Sequence, residues 1–119
     1  MISNNKIVYA YVVADLLHMG HVHFLQNAKV LAGDNGLLIV GVLTDEATME
    51  KKPKPTLSFR ERFDLVKALK CVDMVVPQAQ YSPLQNVMAI KPDILIESSS
   101  HKEMPANSFM ESQGKQIVI

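Results

Sequence analysis

Two histidines, His18 and His21, stand three residues apart across Gly20, directly after a short apolar run. Imidazoles are neutral or cationic donors that can bond phosphoryl oxygens as charge develops on them. If a helix begins at this point, its first N–H groups are free and its dipole presents a positive end, so the place attracts phosphate. Gly20 lets a ligand come close to the backbone. Two further readings use the same residues. The histidines can be ordinary polar residues at a helix start. Alternatively Asp15, His18, His21 and His23 can gather a metal ion, although His21 and His23 are two apart and do not share a helix face.

The elements that must position these residues alternate in type. Ile7 to Val13 is a β-branched and aromatic run that fits a strand buried on both faces of a parallel sheet. Val22 to Ala32 has near-helical apolar spacing and stops at Gly33. Leu37 to Leu43 is a second buried strand. Thr44 to Thr56 is polar, holds Lys51, Lys52, Lys54 and two prolines, and is expected to be a solvated basic loop. Ser58 and Glu61 form a capping box before a helix whose buried face carries Phe59, Phe63, Val66 and Leu69. Val72 to Val76 is a third strand ended by Pro77. Ser82 caps a helix with Pro83 at its first position, which must end before Pro92. Ile94 to Ile96 and Gln116 to Ile119 are the last strands, and Lys102 to Ser112 reads as a loop or irregular helix. Such alternation implies βαβ crossovers and a fold of the α/β class: one Rossmann-like, doubly wound parallel sheet of about five strands, in a single domain over 1–119. Ligands on such sheets bind beyond the carboxyl ends of the strands, where strand order reverses. The residues after Val13, Leu43 and Ile96 are therefore the ones to examine.

Composition sets the outer limits. The chain has 119 residues, 48% hydrophobic and 20% charged, enough for one core. Twelve basic residues balance twelve acidic ones, which argues against a broad basic face for nucleic acid. No apolar run approaches the roughly 20 residues that cross a bilayer. With one cysteine, Cys71, and no secretory leader, a cytoplasmic location is expected.

The residues around the histidines also carry a resemblance. Asp15-Leu16-Leu17-His18-Met19-Gly20-His21 is similar to the D-L-x-H-x-G-H of the HxGH nucleotidyltransferase superfamily, in its cytidylyltransferase branch. In the right order follow Val40-Gly41-Val42-Leu43-Thr44-Asp45-Glu46, Lys51-Lys52, Ser58-Phe59-Arg60-Glu61-Arg62, Val72-Asp73-Met74-Val75-Val76-Pro77 and Lys91-Pro92-Asp93-Ile94. The resemblance implies a Mg2+-assisted transfer from CTP, or ATP, to a small phosphorylated alcohol, amino alcohol or phosphonate. An acceptor oxygen attacks the α-phosphorus in line, and pyrophosphate leaves without a covalent enzyme intermediate. It implies catalytic roles for His18, His21, Lys51 or Lys52, and Arg62, with Arg60 competing. It places Val13, Ala14, Asp15, Gly20, Thr44, Asp45, Ser98, Ser99, Ser100 and His101 around the nucleotide, with no resident metal site, and it implies a homodimer. Replacing either histidine by alanine is expected to abolish pyrophosphate release at nearly unchanged melting temperature.

The resemblance breaks at three places. Val12-Val13-Ala14 stands where the family has G-T-F. Ser98-Ser99-Ser100-His101 stands where it has G-D-D-W, which weakens the choice of CTP over ATP. The sequence stops at Ile117-Val118-Ile119, before the I-S-T motif that holds the outer phosphates. Either the sequence is a piece of a longer one, or a protein ending there is expected to be a weak or inactive nucleotide binder, a non-catalytic remnant of the same fold; an adenylyltransferase of cofactor metabolism is the further alternative. Tyr81 and Phe109 are candidates to cover a base.

Overall fold

The computed structural model describes residues 6–97 and 105–118. Five strands, β1 (Ile7–Val12), β2 (Leu37–Leu43), β3 (Met74–Gln78), β4 (Ile94–Ile96) and β5 (Gln116–Val118), form one sheet in the order β3-β2-β1-β4-β5, every neighbouring pair parallel. Helices α1 (Met19–Ala32) and α3 (Phe59–Lys67) cover one face. Helices α2 (Asp45–Met49), α4 (Leu84–Ile90) and α5 (Pro105–Ser112) cover the other. This is the expected doubly wound α/β domain. The period of two along each strand decides the faces. Val8, Ala10 and Val12 with Leu38, Val40 and Val42 pack under α1 and α3, while Tyr9, Tyr11, Ile39 and Leu43 face the opposite layer.

Five local expectations change. Helix α1 starts at Met19, three residues before its apolar periodicity begins, because His18 supplies the cap. The stretch after β2 is not all loop: Thr44 accepts a hydrogen bond from the Ala47 N–H and starts the short helix α2, with Asp45 and Glu46 favourably placed in its first turn. β3 begins at Met74 rather than Val72, and Pro77 lies inside it rather than ending it. β3 is an edge strand, the position in a sheet where a missing N–H is tolerated. Pro83 is the cap of α4, not its first helical residue, and α5 is a regular helix. The capping box of Ser58 and Glu61 forms as expected.

Asp73 and Asp93, expected only as turn or strand-entry residues, act alike. Each precedes a strand, and each carboxylate accepts a backbone N–H in the first two residues of the neighbouring strand. Asp73 takes Leu38 at 2.8 Å and Asp93 takes Ile7 at 2.9 Å. Lys29 and Lys115 neutralise them at 2.7 and 3.2 Å. Both carboxyls are accordingly held below the usual range: for Asp73 the hydrogen bonds and charge of Lys29 and the Leu38 amide outweigh its desolvation, and for Asp93 the Ile7 amide contributes most.

Candidate active site

Strand order reverses between β1 and β4, so the crevice beyond their carboxyl ends is the place for a ligand. The loop from Val13 to His18 leaves β1 there. Ala14 and Leu16 take positive φ values of 60° and 53°, a sparsely populated backbone for residues with a Cβ. Ala14 is fully buried and Leu16 points to solvent.

The two histidines close the start of α1 reciprocally. The Gly20 N–H donates to His18 Nδ1 at 3.0 Å, and the His18 N–H donates to His21 Nδ1 at 3.1 Å. Imidazoles thus replace the hydroxyl and carboxylate of an ordinary capping box. A backbone N–H can only donate, so both Nδ1 atoms must be acceptors. That fixes both rings as Nε2–H tautomers when neutral, each with one donor left. The ring centroids are 4.2 Å apart. Burial, with His18 nearby, pushes the His21 pKa down and favours that neutral form. A Cβ on residue 20 would lie 2.7 Å from the His18 ring, so Gly20 makes room for the imidazole itself.

The histidines open into a cleft of about 530 Å³, also lined by Val13, Asp15, Thr48, Lys52, Lys54 and Thr56. Of the two lysines left open by the sequence, Lys52 lines this cleft and Lys51 is an exposed residue outside its lining. Lys54, read before as part of a solvated loop, joins it. Its signal was the Lys-Pro-Lys-Pro alternation, in which each proline restricts the lysine before it, and both lysines line the cleft with the histidines.

Arg62 lies under the loops after β1 and β2 and is fully buried. It donates through Nε to the Leu57 carbonyl, through Nη1 to the Val13 and Leu43 carbonyls, and through Nη2 to Asp45 at 2.6 Å. It therefore ties together the loops after β1 and β2. Asp45 is the partner of this guanidinium, and Thr44 is the cap of α2. Arg60 is exposed and pairs with Asp64. Asp15 accepts the Thr56 and Leu57 N–H groups at 2.8 and 2.9 Å. These two bonds, Leu57 first, hold its carboxyl below the usual range. Tyr81 is buried in the core under α4 rather than open to a base. Ser98, Ser99, Ser100 and His101 lie outside the described residues. Among the described residues no group of three or more His, Cys, Asp or Glu side chains could hold a metal ion, and the Nδ1 atoms of His18 and His21 already accept N–H groups.

Sequence reasoning missed Glu97, one residue past β4. It is 1% exposed, accepts the Tyr11 hydroxyl through Oε1, and among the described residues Oε2 has no hydrogen-bond partner. Burial pushes its carboxyl up to about 7. An isolated Glu after a strand carries no periodic signal.

A protein-family model described as cytidylyltransferase-like matches residues 11–117. The bifunctional protein HldE of Helicobacter pylori (strain G27) is 39% identical over 111 residues, which is 90% of this chain and 23% of that protein. The protein of the same name from Helicobacter hepaticus is 35% identical over 122 residues, 99% of this chain and 24% of its own length. The chain thus spans about a quarter of the length of these curated relatives. The crystal structure of the lipopolysaccharide core biosynthesis protein from Thermoplasma volcanium superposes with a TM-score of 0.80 at 28% identity, covering 96% of this chain and 95% of that one. A universal stress protein in complex with cAMP shares the fold, with a TM-score of 0.52 at 17% identity over 98% and 97% of the two chains. No helix of the described residues is long and apolar enough to cross a membrane. Topology, the paired histidines at the head of α1 and the extent of the family match agree: the chain belongs to the cytidylyltransferase-like family and has its nucleotidyltransferase fold.

Proposed function

We propose that the protein transfers a nucleotidyl group from CTP or ATP to the phosphate of a small phosphorylated acceptor, releasing pyrophosphate. The observation that carries this reading is the pair of Nδ1-anchored imidazoles facing a cleft shared with Lys52 and Lys54. An acceptor phosphate oxygen attacks the α-phosphorus as the bond to the bridging oxygen breaks. The electron pair of that bond leaves with pyrophosphate. Negative charge grows on the oxygens around the α- and β-phosphorus. The Nε2–H groups of His18 and His21 donate to those oxygens, and the two ammonium groups balance the triphosphate charge. Neither ring has to give up a proton, because its role is donation of a hydrogen bond from a fixed tautomer.

Magnesium would arrive with the nucleotide and neutralise phosphate charge. Asp15, the carboxylate lining the cleft, already has both oxygens engaged by backbone N–H groups, so phosphate oxygens are the better ligands for the ion. Among acceptors, a sugar phosphate is favoured by the likeness to a lipopolysaccharide core biosynthesis protein, since that core is built of sugars. ATP stands beside CTP on one observation: Ser98-Ser99-Ser100-His101 offers hydroxyls and an imidazole where the cytidylyltransferase pattern has two carboxylates and an indole. A homodimer and a cytoplasmic location belong to the same proposal.

The test pairs thermal shifts with a pyrophosphate-release assay, using CTP, ATP and GTP with magnesium against a panel of phosphorylated sugars, alcohols and phosphonates. One nucleotide should raise the melting temperature selectively by mass action, and one acceptor should release pyrophosphate from it. No shift and no release with any pair would overturn the reading.

A further inference from the structure

We propose that Asp15 is a positioning residue: its carboxylate latches the lysine-bearing strap of residues 52–56 to the histidine loop, so that imidazoles and ammonium groups meet the triphosphate as one preformed unit. The proposal rests on the triphosphate reading of the cleft and gives Asp15 a role other than nucleotide contact.

The strap is held at both ends. At its start the Lys52 N–H donates to the Thr48 carbonyl at 2.9 Å, which ties it to the end of α2. At its finish the Thr56 and Leu57 N–H groups donate to the two separate oxygens of Asp15. The same Leu57 offers its carbonyl to Arg62 Nε at 3.2 Å, and Arg62 Nη1 holds the Val13 carbonyl at 2.8 Å, two residues before Asp15. Leu57 is therefore gripped from both sides of its backbone by groups bound to the β1 loop. Between these anchors run Lys52, Pro53, Lys54 and Pro55. The prolines fix φ and restrict the residue before each of them, so a strap pinned at its ends has little freedom within. Within the strap Pro55 is buried.

The electrostatics point the same way. A carboxylate in a cleft meant for a polyanion repels its ligand unless another task holds it there. Its oxygens are engaged by two N–H groups, and these keep the carboxyl ionised well below neutral pH. Ordering the strap before the ligand arrives removes an entropic cost from binding.

Hydrogen exchange of the ligand-free protein reads the latch directly. The Thr56 and Leu57 amides should be protected, and Asp15→Ala should speed both at least tenfold. Asp15→Asn, which keeps one acceptor oxygen, should fall between and guards against misfolding of the alanine variant. Inorganic tripolyphosphate reports the consequence. Its Kd should rise tenfold or more in Asp15→Ala, and the KM for the nucleotide should rise with it more than kcat falls. Thr56→Pro is the decisive variant, because it removes the backbone donor and leaves the carboxylate in the cleft; Thr56→Ala is its control, since it removes only the hydroxyl that also bonds Asp15 and lines the cleft. A latch predicts weaker tripolyphosphate binding in Thr56→Pro too, and a double variant no worse than Asp15→Ala alone. If Asp15 touched the ligand itself, Thr56→Pro would bind tripolyphosphate as well as Thr56→Ala does, exchange in Asp15→Ala would be unchanged, and the proposal would be overturned. A wild-type protein that binds neither tripolyphosphate nor nucleotide would instead sink the proposed function, while the exchange rates would still decide whether Asp15 holds the strap.

Discussion

His18 uses its two ring nitrogens for two different tasks. Nδ1 accepts the Gly20 N–H and starts α1, while Nε2–H is left for a ligand. Any variant that removes the ring removes the cap as well, and losing an N-cap costs about 1 kcal/mol, a few degrees in Tm for a domain of this size. Alanine at position 18 should therefore lower stability as well as activity, contrary to the expectation from the motif alone. Asparagine separates the tasks, since it is among the best N-caps and its side-chain oxygen can take the Gly20 N–H. His18→Asn should keep the melting temperature within about 1–2 °C of wild type. It should still lose about 10²–10³ in the rate of pyrophosphate release, the usual effect of deleting one donor to a developing charge. Full activity in the asparagine variant would remove the imidazole from the chemistry. The histidine pair was plain in the sequence, because two imidazoles across a glycine are a rare local pattern. Their tautomers were not, because they follow from which backbone N–H each ring faces. Arg62 was equally visible as a charge, yet its full burial under two loops depends on contacts to Val13 and Leu43, residues far away along the chain.

At the scale of elements, legibility followed periodicity. β1, β2, α3 and β4 carry continuous or evenly spaced apolar residues, and they appear where those patterns lie, except that β1 stops before Val13 and α3 before Leu69. α2 has five residues and no apolar stripe; only its Thr44 cap marks it, among lysines and prolines that read as loop. Motif residues without obvious chemistry turned out to join elements. Asp73 and Asp93 each close a neighbouring strand. Gly41 makes room for a polar contact between layers. A Cβ there would lie 1.9 Å from the Tyr9 hydroxyl, which donates to Gln78 Oε1 at 2.5 Å and accepts from Asn86 at 2.9 Å. Gly41→Ala must therefore push Tyr9 off buried partners that join β1 to β3 and α4. Overpacking and the unmade hydrogen bonds together should cost about 2–4 kcal/mol, measured by urea denaturation. Adding Tyr9→Phe removes the clashing hydroxyl and should recover part of that loss. If the double variant is less stable than Gly41→Ala alone, the hydroxyl is not what the glycine accommodates.

Across the whole molecule, stability should depend on pH through groups that pull in opposite directions. Asp15, Asp73 and Asp93 have carboxyls held low by hydrogen bonds and cations, so their contribution is present above about pH 4 and is lost as the pH falls further. The depressed His21 pKa likewise removes stability as the pH drops through the normal histidine range. Glu97 works the other way. Its carboxyl titrates at about 7 in the folded chain against 4.5 as the ordinary value, because burial between β1 and β4 disfavours the charge. The folded state therefore binds the proton more tightly than the unfolded state does. The stability this provides is complete below about pH 4.5, declines as the pH rises through the window to 7, and is then gone. The full swing is about 3 kcal/mol, a sizeable share of the 5–15 kcal/mol that holds a domain together. Glu97→Gln keeps the shape and the bond to Tyr11 but cannot ionise. Urea midpoints from pH 5 to 8 should drop in the wild type relative to the glutamine variant, in which the His21 contribution alone keeps them level or rising, with the curves separating most above pH 7, where the wild type must keep a buried Glu97 charged. Parallel curves would mean that Glu97 is hydrated when ionised and that the end of β4 admits water.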